Sequence, residues 1–142
     1  MLFYFCGIKV NPMLRFILLV TALFGFYSGC QQQNTNPVSD IDAAQAFIRH
    51  CNQNEFEQAK PLLLPDKTNE EYFEMARQKF GQQTKEELEA YKSADIIIHE
   101  IKPVSDSVSI ISYSNSNKQQ VKQNLKLVRQ NGTWLVDLKY TF

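Results

Sequence analysis

The hydrophobic pattern changes its period near Lys92, and this change restricts the possible folds more than any other feature of the sequence. Upstream, apolar residues recur every three or four positions, which is typical of amphipathic helices. Downstream, four segments alternate apolar and polar residues and are rich in β-branched and aromatic side chains: ADIIIHEI, DSVSIISYS, QVKQNLKLVRQ and TWLVDLKYTF. Helices followed by strands predict an α+β domain, with the helices packed on one face of the sheet.

The links between the four strand segments are short, which predicts antiparallel pairing, because parallel strands need long crossover connections. The strongest local signal is Asn131-Gly132, a pair typical of a two-residue hairpin turn, between the last two segments. In the last segment, Trp134 and alternate residues through Phe142 share one face. Asp137 falls on the other face, where we expect it to be solvated.

Polar residues mark where the helices begin. Three pairs have the spacing of a capping box: Ser39 and Asp42, Thr68 and Glu71, and Thr84 and Glu87. A further helix is predicted to start near Asn54, with Pro61 close to its end or at a bend. Gly81 suits a left-handed residue just after the third helix. The residues expected to face the core are Ala44, Phe47, Ile48, Cys51, Phe56, Ala59, Leu63, Phe73, Ala76 and Phe80.

A short apolar segment, residues 16–27, contains twelve residues without a charge. A bilayer-spanning helix needs about twenty, whereas ten to fourteen suit the core of a signal peptide. Arg15 precedes the segment, and Ser-Gly-Cys at positions 28–30 follows it. This arrangement resembles the lipobox of bacterial lipoproteins, in which the cysteine is acylated, with palmitate as one such acyl chain, although Tyr27 replaces the usual aliphatic residue. The resemblance implies a lipidated Cys30 at the start of the mature chain. An uncleaved anchor helix is the alternative.

These features divide the chain into a signal peptide at residues 1–29, a polar tether at 30–38 and a single α+β domain at 39–142. Residues 13–29 form a complete lipoprotein signal by themselves, so Met13 is an alternative start. From Cys30 onward, 113 residues remain, with 13 basic and 15 acidic side chains. With Cys30 acylated, Cys51 has no cysteine partner, and we expect a small buried side chain rather than a reactive thiol.

Two stretches of the domain carry a resemblance to known proteins. The first is AAQAFIRHCNQNEFEQAKPLL, a helix pair with a short polar break, and the second is LKLVRQNGTWLVDL, a hairpin with its tryptophan. On these stretches the domain resembles the nuclear transport factor two-like (SnoaL-like) superfamily, and more closely a family of small bacterial lipoproteins that carry a domain of unknown function within it. The resemblance implies a cone-like, cystatin-like fold with a curved four-stranded sheet. It supplies no activity, because neither stretch contains a catalytic signature.

Residues suited to catalysis or metal binding are scarce. The mature chain has only Gly81 and Gly132, which are too few for a glycine-rich phosphate-binding loop. His50 and His99 are its only histidines, and neither has the spacing of clustered metal ligands. We therefore predict no catalytic residue, no metal and no cofactor, and a protein that is not an enzyme.

Three residues are candidates for lining a ligand pocket between the sheet and the helices: His99, Tyr113 and Trp134. Tyr113 and Trp134 combine an apolar body with a polar tip, which suits a pocket mouth. His99 alternates with Ile97 and Ile101 on one face of its strand. Asp137 on another strand is a conceivable partner for acid–base catalysis, and an enzyme that uses His99 is the least favoured alternative.

Lys118, Lys122 and Lys126 are predicted to form a basic stripe along the third strand, with Val121 facing inward. Nucleic-acid binding would need interleaved aromatic residues and a basic overall charge, so we expect no nucleic-acid partner. The favoured function is a lipid-anchored envelope domain that binds a partner protein or a small ligand. The alternative is an assembly role, with a homodimer formed through the sheet face. Gln31 replaces the aspartate associated with inner-membrane retention, which favours the outer membrane, facing the periplasm.

Overall fold

The computed structural model describes residues 39–140, and all of them belong to one structural unit. The predicted signal peptide, the lipidation site Cys30 and the tether lie outside the described residues, as does Phe142.

Within residues 39–140, four α-helices precede the sheet: α1 (Asp40–Asn52), α2 (Phe56–Ala59), α3 (Lys67–Gly81) and α4 (Lys85–Lys92). The strands are β1 (Ile96–Ser105), β2 (Val108–Asn115), β3 (Gln123–Gln130) and β4 (Thr133–Asp137). They form one antiparallel sheet in the order β1-β2-β3-β4, which is open because β1 and β4 do not pair. The predicted α+β fold, with N-terminal helices and a four-stranded antiparallel sheet, is confirmed.

Side-chain capping determines where α1 and α4 begin. At α1, Ser39 Oγ accepts a hydrogen bond from the Asp42 N–H at 3.1 Å. At α4, Thr84 Oγ1 accepts from the Glu87 N–H at 3.2 Å, and Glu87 Oε2 accepts from the Thr84 N–H at 2.9 Å. These bonds satisfy amide groups that have no partner within the helix. Both predicted starts are confirmed.

The helix α3 differs from the prediction at both ends. Asp66, not Thr68, is its N-cap, and Asp66 Oδ1 accepts a hydrogen bond from the Asn69 N–H at 3.0 Å. An aspartate at this position satisfies a free amide and also interacts favourably with the positive end of the helix. The prediction for Gly81 is wrong as well, because Gly81 is the last residue of α3 and its backbone is not left-handed.

The segment after α2 protects one edge of the sheet. Pro61 lies in a 3₁₀ turn, Lys60–Leu62, that directly follows α2. Leu63 then forms a parallel bridge with Val136, and the Leu64 N–H donates to the Val136 carbonyl at 2.8 Å. Because an open strand edge can pair with another chain, this contact shields β4.

The turn between β3 and β4 has the predicted chemistry. Asn131 and Gly132 have φ angles of 51° and 82°, and a type I′ turn requires positive φ at both central residues. Gln130 pairs with Thr133 across this turn, so the loop has two residues. The predicted Asn-Gly hairpin is confirmed.

The strand β4 ends earlier than predicted. It stops at Asp137, and Leu138–Tyr140 form a 3₁₀ turn, so the strand does not continue toward the end of the chain. The prediction that Asp137 is solvated is also wrong, because only 4% of this residue is exposed. Lys126 Nζ and Lys139 Nζ lie 3.1 and 3.5 Å from its carboxylate oxygens. These two cations offset the cost of burying a charge.

A bulge interrupts β1 at His99. Ile98 pairs with Tyr113 and Glu100 pairs with Ser112, which leaves His99 without a partner on β2. A bulge adds one residue to a strand and so shifts its alternation between the two faces. The prediction that Ile97, His99 and Ile101 share one face is therefore wrong.

The helices pack on one face of the sheet, and buried side chains from both layers form one core. Its members are Ala43, Ala44, Phe47, Ile48, Phe56, Ala59, Leu63, Phe73, Ile111, Tyr113, Leu125, Leu127, Val136 and Leu138. The strand pairing places a second apolar set on the opposite face, which we call the outer sheet face. Its members are half-buried: Val108, Ile110, Val128 and Leu135.

Candidate functional site

A cavity of about 260 Å³ lies between the helices and the sheet. All four helices, β2, β3 and the 3₁₀ turn after β4 contribute to its wall. Six aromatic side chains line it: Phe47, Phe56, Phe73, Phe80, Tyr91 and Tyr113. Phe73, Ala76 and Phe80 reach it from a single stripe of α3, because residues three, four and seven positions apart share one helix face.

The aromatic rings of the cavity contact one another. The Phe56 centroid lies 5.6 Å from both Phe73 and Phe80, with interplanar angles of 67° and 71°. Phe80 is also 5.6 Å from Tyr91, and Phe47 is 6.1 Å from Phe73. Edge-to-face and tilted contacts at these distances are favourable. Five of the six rings, all but Tyr113, are thus linked through these contacts.

Four amide side chains line the cavity, and two of them are buried, whereas Gln83 and Gln123 are more exposed. Asn52 on α1 and Asn115 at the end of β2 are each 8% exposed, and Asn52 Nδ2 donates to Asn115 Oδ1 at 3.3 Å. Within residues 39–140, Asn52 Oδ1 and Asn115 Nδ2 have no further hydrogen-bond partner. If both amide groups are flipped, so that nitrogen and oxygen exchange places, the same number of donors and acceptors remains without a partner. One acceptor and one donor are therefore free to bind a ligand.

Two ionisable side chains that line the cavity, Cys51 and Tyr113, are uncharged at neutral pH. Burial raises the pKa of the Cys51 thiol to about 12, which agrees with the expectation that this cysteine is not reactive, because the thiolate is the nucleophile. Burial also raises the pKa of Tyr113 well above its ordinary value. The Tyr113 hydroxyl donates to Gln123 Oε1 at 2.8 Å. The interior of the cavity therefore presents uncharged groups at neutral pH.

Of the three predicted pocket residues, the cavity wall includes Tyr113 and not His99 or Trp134. His99 is exposed on β1, where its Nε2 lies 2.8 Å from Ser114 Oγ. Trp134 on β4 packs against the core, with Arg129 Cζ 6.0 Å from its ring centroid. The fold thus separates the three candidates.

His99 and Asp137 do not meet. They belong to β1 and β4, the two edge strands of the sheet, and neighbouring strands lie ~4.8 Å apart, so three spacings separate them by about 14 Å. Asp137 pairs instead with Lys126 and Lys139. The structure offers no acid–base pair at these two residues.

The contact between His99 and Ser114 has the geometry of a base and a hydroxyl nucleophile. However, Ser114 is only 1% exposed, so a substrate has no access to its hydroxyl. We interpret the contact as support for the bulge at His99, because it joins the unpaired residue to β2.

The predicted lysine stripe does not form. β3 begins at Gln123, so Lys118 and Lys122 precede it. Lys118 Nζ donates to Tyr91 Oη at 3.1 Å, and Lys126 pairs with Asp137. Val121 is 54% exposed rather than inward. These lysines therefore have separate roles and present no continuous basic surface.

Within residues 39–140, no group of three or more His, Cys, Asp or Glu side chains is arranged to hold a metal ion. No helix in the same range is long and apolar enough to cross a membrane.

Three residues of the cavity wall were not predicted from the sequence: Asn52, Asn115 and Lys79. The sequence does contain a signal for Asn52. Positions 44, 48 and 52 follow each other at intervals of four, which places Asn52 on the apolar face of α1. A polar residue on such a face is unusual and indicates a polar site within the core. Asn115 and Lys79 join this site only through the packing of β2 and α3 against α1.

Comparisons with protein-family models, with curated proteins and with solved structures found no match to this chain.

Proposed function

We propose that this protein is a binding module for a small, mostly apolar ligand, held in a bacterial envelope membrane by a lipid on Cys30. The cavity of about 260 Å³ with six aromatic side chains in its wall carries this proposal. A cavity of ~150 Å³ in another protein admits benzene, and pockets for drug-sized ligands begin at ~300 Å³. The expected ligand has one ring with a short side chain, or an aliphatic chain of similar volume.

The free groups of Asn52 and Asn115 would give such a ligand its orientation. Neither group is fully buried without a partner, because Ser109 Oγ is the only such side-chain atom among the described residues, so both remain accessible from the cavity. A ligand with a hydroxyl, carbonyl or amide group at its inner end can hydrogen-bond to them and should bind more tightly than a pure hydrocarbon. A few placed polar groups in an apolar pocket are the usual basis of specificity.

The cavity wall supports binding over catalysis. Among the described residues that line it, there is no histidine and no carboxylate, and these are the side chains that most often transfer protons in enzymes. Cys51 lines the cavity, but its raised pKa keeps it protonated. The position of the cavity, between the sheet and the helices, also supports the resemblance to the nuclear transport factor two-like superfamily.

The proposed location depends on Cys30 and on residues 1–29. The apolar segment that precedes Ser-Gly-Cys supports cleavage and acylation there, and Gln31 supports delivery to the outer membrane, facing the periplasm. Labelled palmitate should be incorporated into the wild-type protein and not into the Cys30→Ala variant. Equal labelling of the two would contradict the proposal.

Native mass spectrometry of the full chain, purified from membranes, tests the binding function. We expect a fraction of the protein to carry one small molecule that organic extraction releases. Ala76→Phe should abolish this retention, because the new ring fills the cavity that Ala76 lines. Gln78→Phe adds the same ring to an exposed position of α3 outside the cavity and should retain the ligand. Equal retention in both variants would refute the proposed site.

A homodimer formed through the outer sheet face is the second candidate. The observation that favours it is the row of half-buried Val108, Ile110, Val128 and Leu135 on that face. Light scattering should then show a dimer that Ile110→Lys dissociates. A wild-type monomer would eliminate this alternative without affecting the binding function.

A further inference from the structure

The cavity meets solvent on the side of Lys79. Of the side chains that line it, Lys79 and Gln123 are exposed, whereas Phe47, Phe73 and Leu125 are buried. Lys79 is also the only formally charged residue among the described residues of the wall. A ligand in this cavity would therefore have an apolar part among the rings and one end close to a single positive charge.

No acidic side chain in the described part of the chain forms an ion pair with Lys79. Lys79 makes no ion pair or hydrogen bond through its side chain within residues 39–140, whereas Lys67, Arg77 and Lys92 all pair with glutamates. Its neighbours one turn earlier on α3, Met75 and Ala76, are neutral. The ammonium group is thus available to a ligand.

We propose that the ligand is a small amphipathic anion, with an apolar body among the aromatic rings and a carboxylate or similar anionic group at Lys79. This inference rests on the proposed binding function and specifies the chemical class of its ligand. Charge complementarity at the rim would select anions over neutral and cationic molecules with the same body.

The helix α3 makes the role of Lys79 testable. Lys79 lies in the last turn of α3, where the carbonyl groups give the helix a partial negative charge that disfavours anions. Lys79 must outweigh this effect for a carboxylate to bind. Removing the lysine should therefore eliminate the preference for an anion rather than only reduce it.

The test uses three probes with the same ring and chain length: 3-phenylpropionate, 3-phenylpropanol and 3-phenylpropylammonium. Their affinities for the full chain in lipid nanodiscs are measured by titration calorimetry, with empty nanodiscs as the blank. We expect the carboxylate to bind about threefold or more tightly than the alcohol at low salt, and the ammonium to bind most weakly. The preference should shrink at high salt, because Lys79 is exposed.

Variants of Lys79 test whether the preference for the carboxylate depends on this side chain. Lys79→Gln should lose the preference for the carboxylate over the alcohol, whereas Lys79→Arg should keep it. Lys85→Gln removes an exposed lysine from α4 that does not line the cavity and serves as the matched control.

The outcomes separate this inference from the proposed function. Binding of the alcohol as tightly as the carboxylate, or a preference that persists in Lys79→Gln, would overturn the inference and leave the binding function intact. Failure of the wild type to bind any of the three probes would overturn both.

Discussion

Asn69 Oδ1 accepts a hydrogen bond from the Leu138 N–H at 2.7 Å. This bond links the 3₁₀ turn that follows β4 to the first turn of α3. Asn69 is fully buried, and its Nδ2 donates to Asp66 Oδ2 at 2.7 Å. Two elements that are 69 positions apart in sequence are thus held by one amide. The 3₁₀ turn at Leu138 places this residue in the cavity wall, so the bond also supports the candidate site.

Replacing Asn69 by alanine should lower the free energy of unfolding by about 2 kcal/mol, because it leaves the buried Leu138 N–H without a partner. Urea unfolding followed by circular dichroism measures this loss. Asn117→Ala, at an exposed position of the β2–β3 connection, should change the free energy by less than about 0.5 kcal/mol. Equal effects of the two changes would show that the Asn69 bond contributes little.

Stability should fall at acid pH because of Asp137. Burial opposes the ionisation of Asp137, but the hydrogen bond from Lys126 and the charges of Lys139 and Lys126 outweigh it and hold its pKa below the usual range. Since this pKa is lower in the folded than in the unfolded chain, the charged carboxylate stabilises the fold above the unfolded value of ~4. The contribution is lost as the pH falls through the lowered pKa.

Urea midpoints measured between pH 2 and 7 check this expectation. Asp137→Asn should be less stable than the wild type at pH 7 and should lose less stability on acidification. Asp106→Asn, in the exposed β1–β2 turn, controls for the removal of one carboxylate. Parallel pH curves for the wild type and Asp137→Asn would contradict the assigned role.

Cys51 should react slowly with iodoacetamide in the folded protein. Its pKa of about 12, against an ordinary value of 9.0, reduces the thiolate fraction at pH 8 about a thousandfold. Alkylation followed by peptide mapping distinguishes Cys51 from the other cysteines, and unfolding in urea provides the reference rate. A folded rate within tenfold of the unfolded rate would show that the thiol is more accessible than this structure indicates.

The two glycines of the described domain should respond in opposite directions to alanine. At Gly132, with φ of 82°, alanine should cost about 1 kcal/mol, because the left-handed backbone is strained for a residue with a Cβ. At Gly81, which ends α3 with nothing within 4 Å of an added Cβ, alanine should stabilise the protein by about 0.5 kcal/mol. Thermal unfolding of both variants measures the difference, and a loss at Gly81 would mean that its conformation is not helical in solution.

The starts of α1 and α4 and the β3–β4 turn could be predicted because each depends on hydrogen bonds or backbone angles within four residues. Ser39, Thr84 and Asn131-Gly132 carry that information in their own side chains or in the lack of one. The α+β class followed from the change of hydrophobic period near Lys92, which is also a local property summed along the chain.

The sequence by itself therefore determined the order of helices and strands, the antiparallel pairing and most of the core. Only the tertiary structure decided that β4 stops at Asp137, that Asp137 is buried, and that Asn52, Asn115 and Lys79 share one cavity. The physical reason is that these outcomes depend on contacts between residues distant in the chain, such as Asn69 with Leu138 and Asn52 with Asn115. A local sequence pattern indicates which face of a helix or strand is apolar. It does not indicate which polar side chains of other elements contact that face across the core.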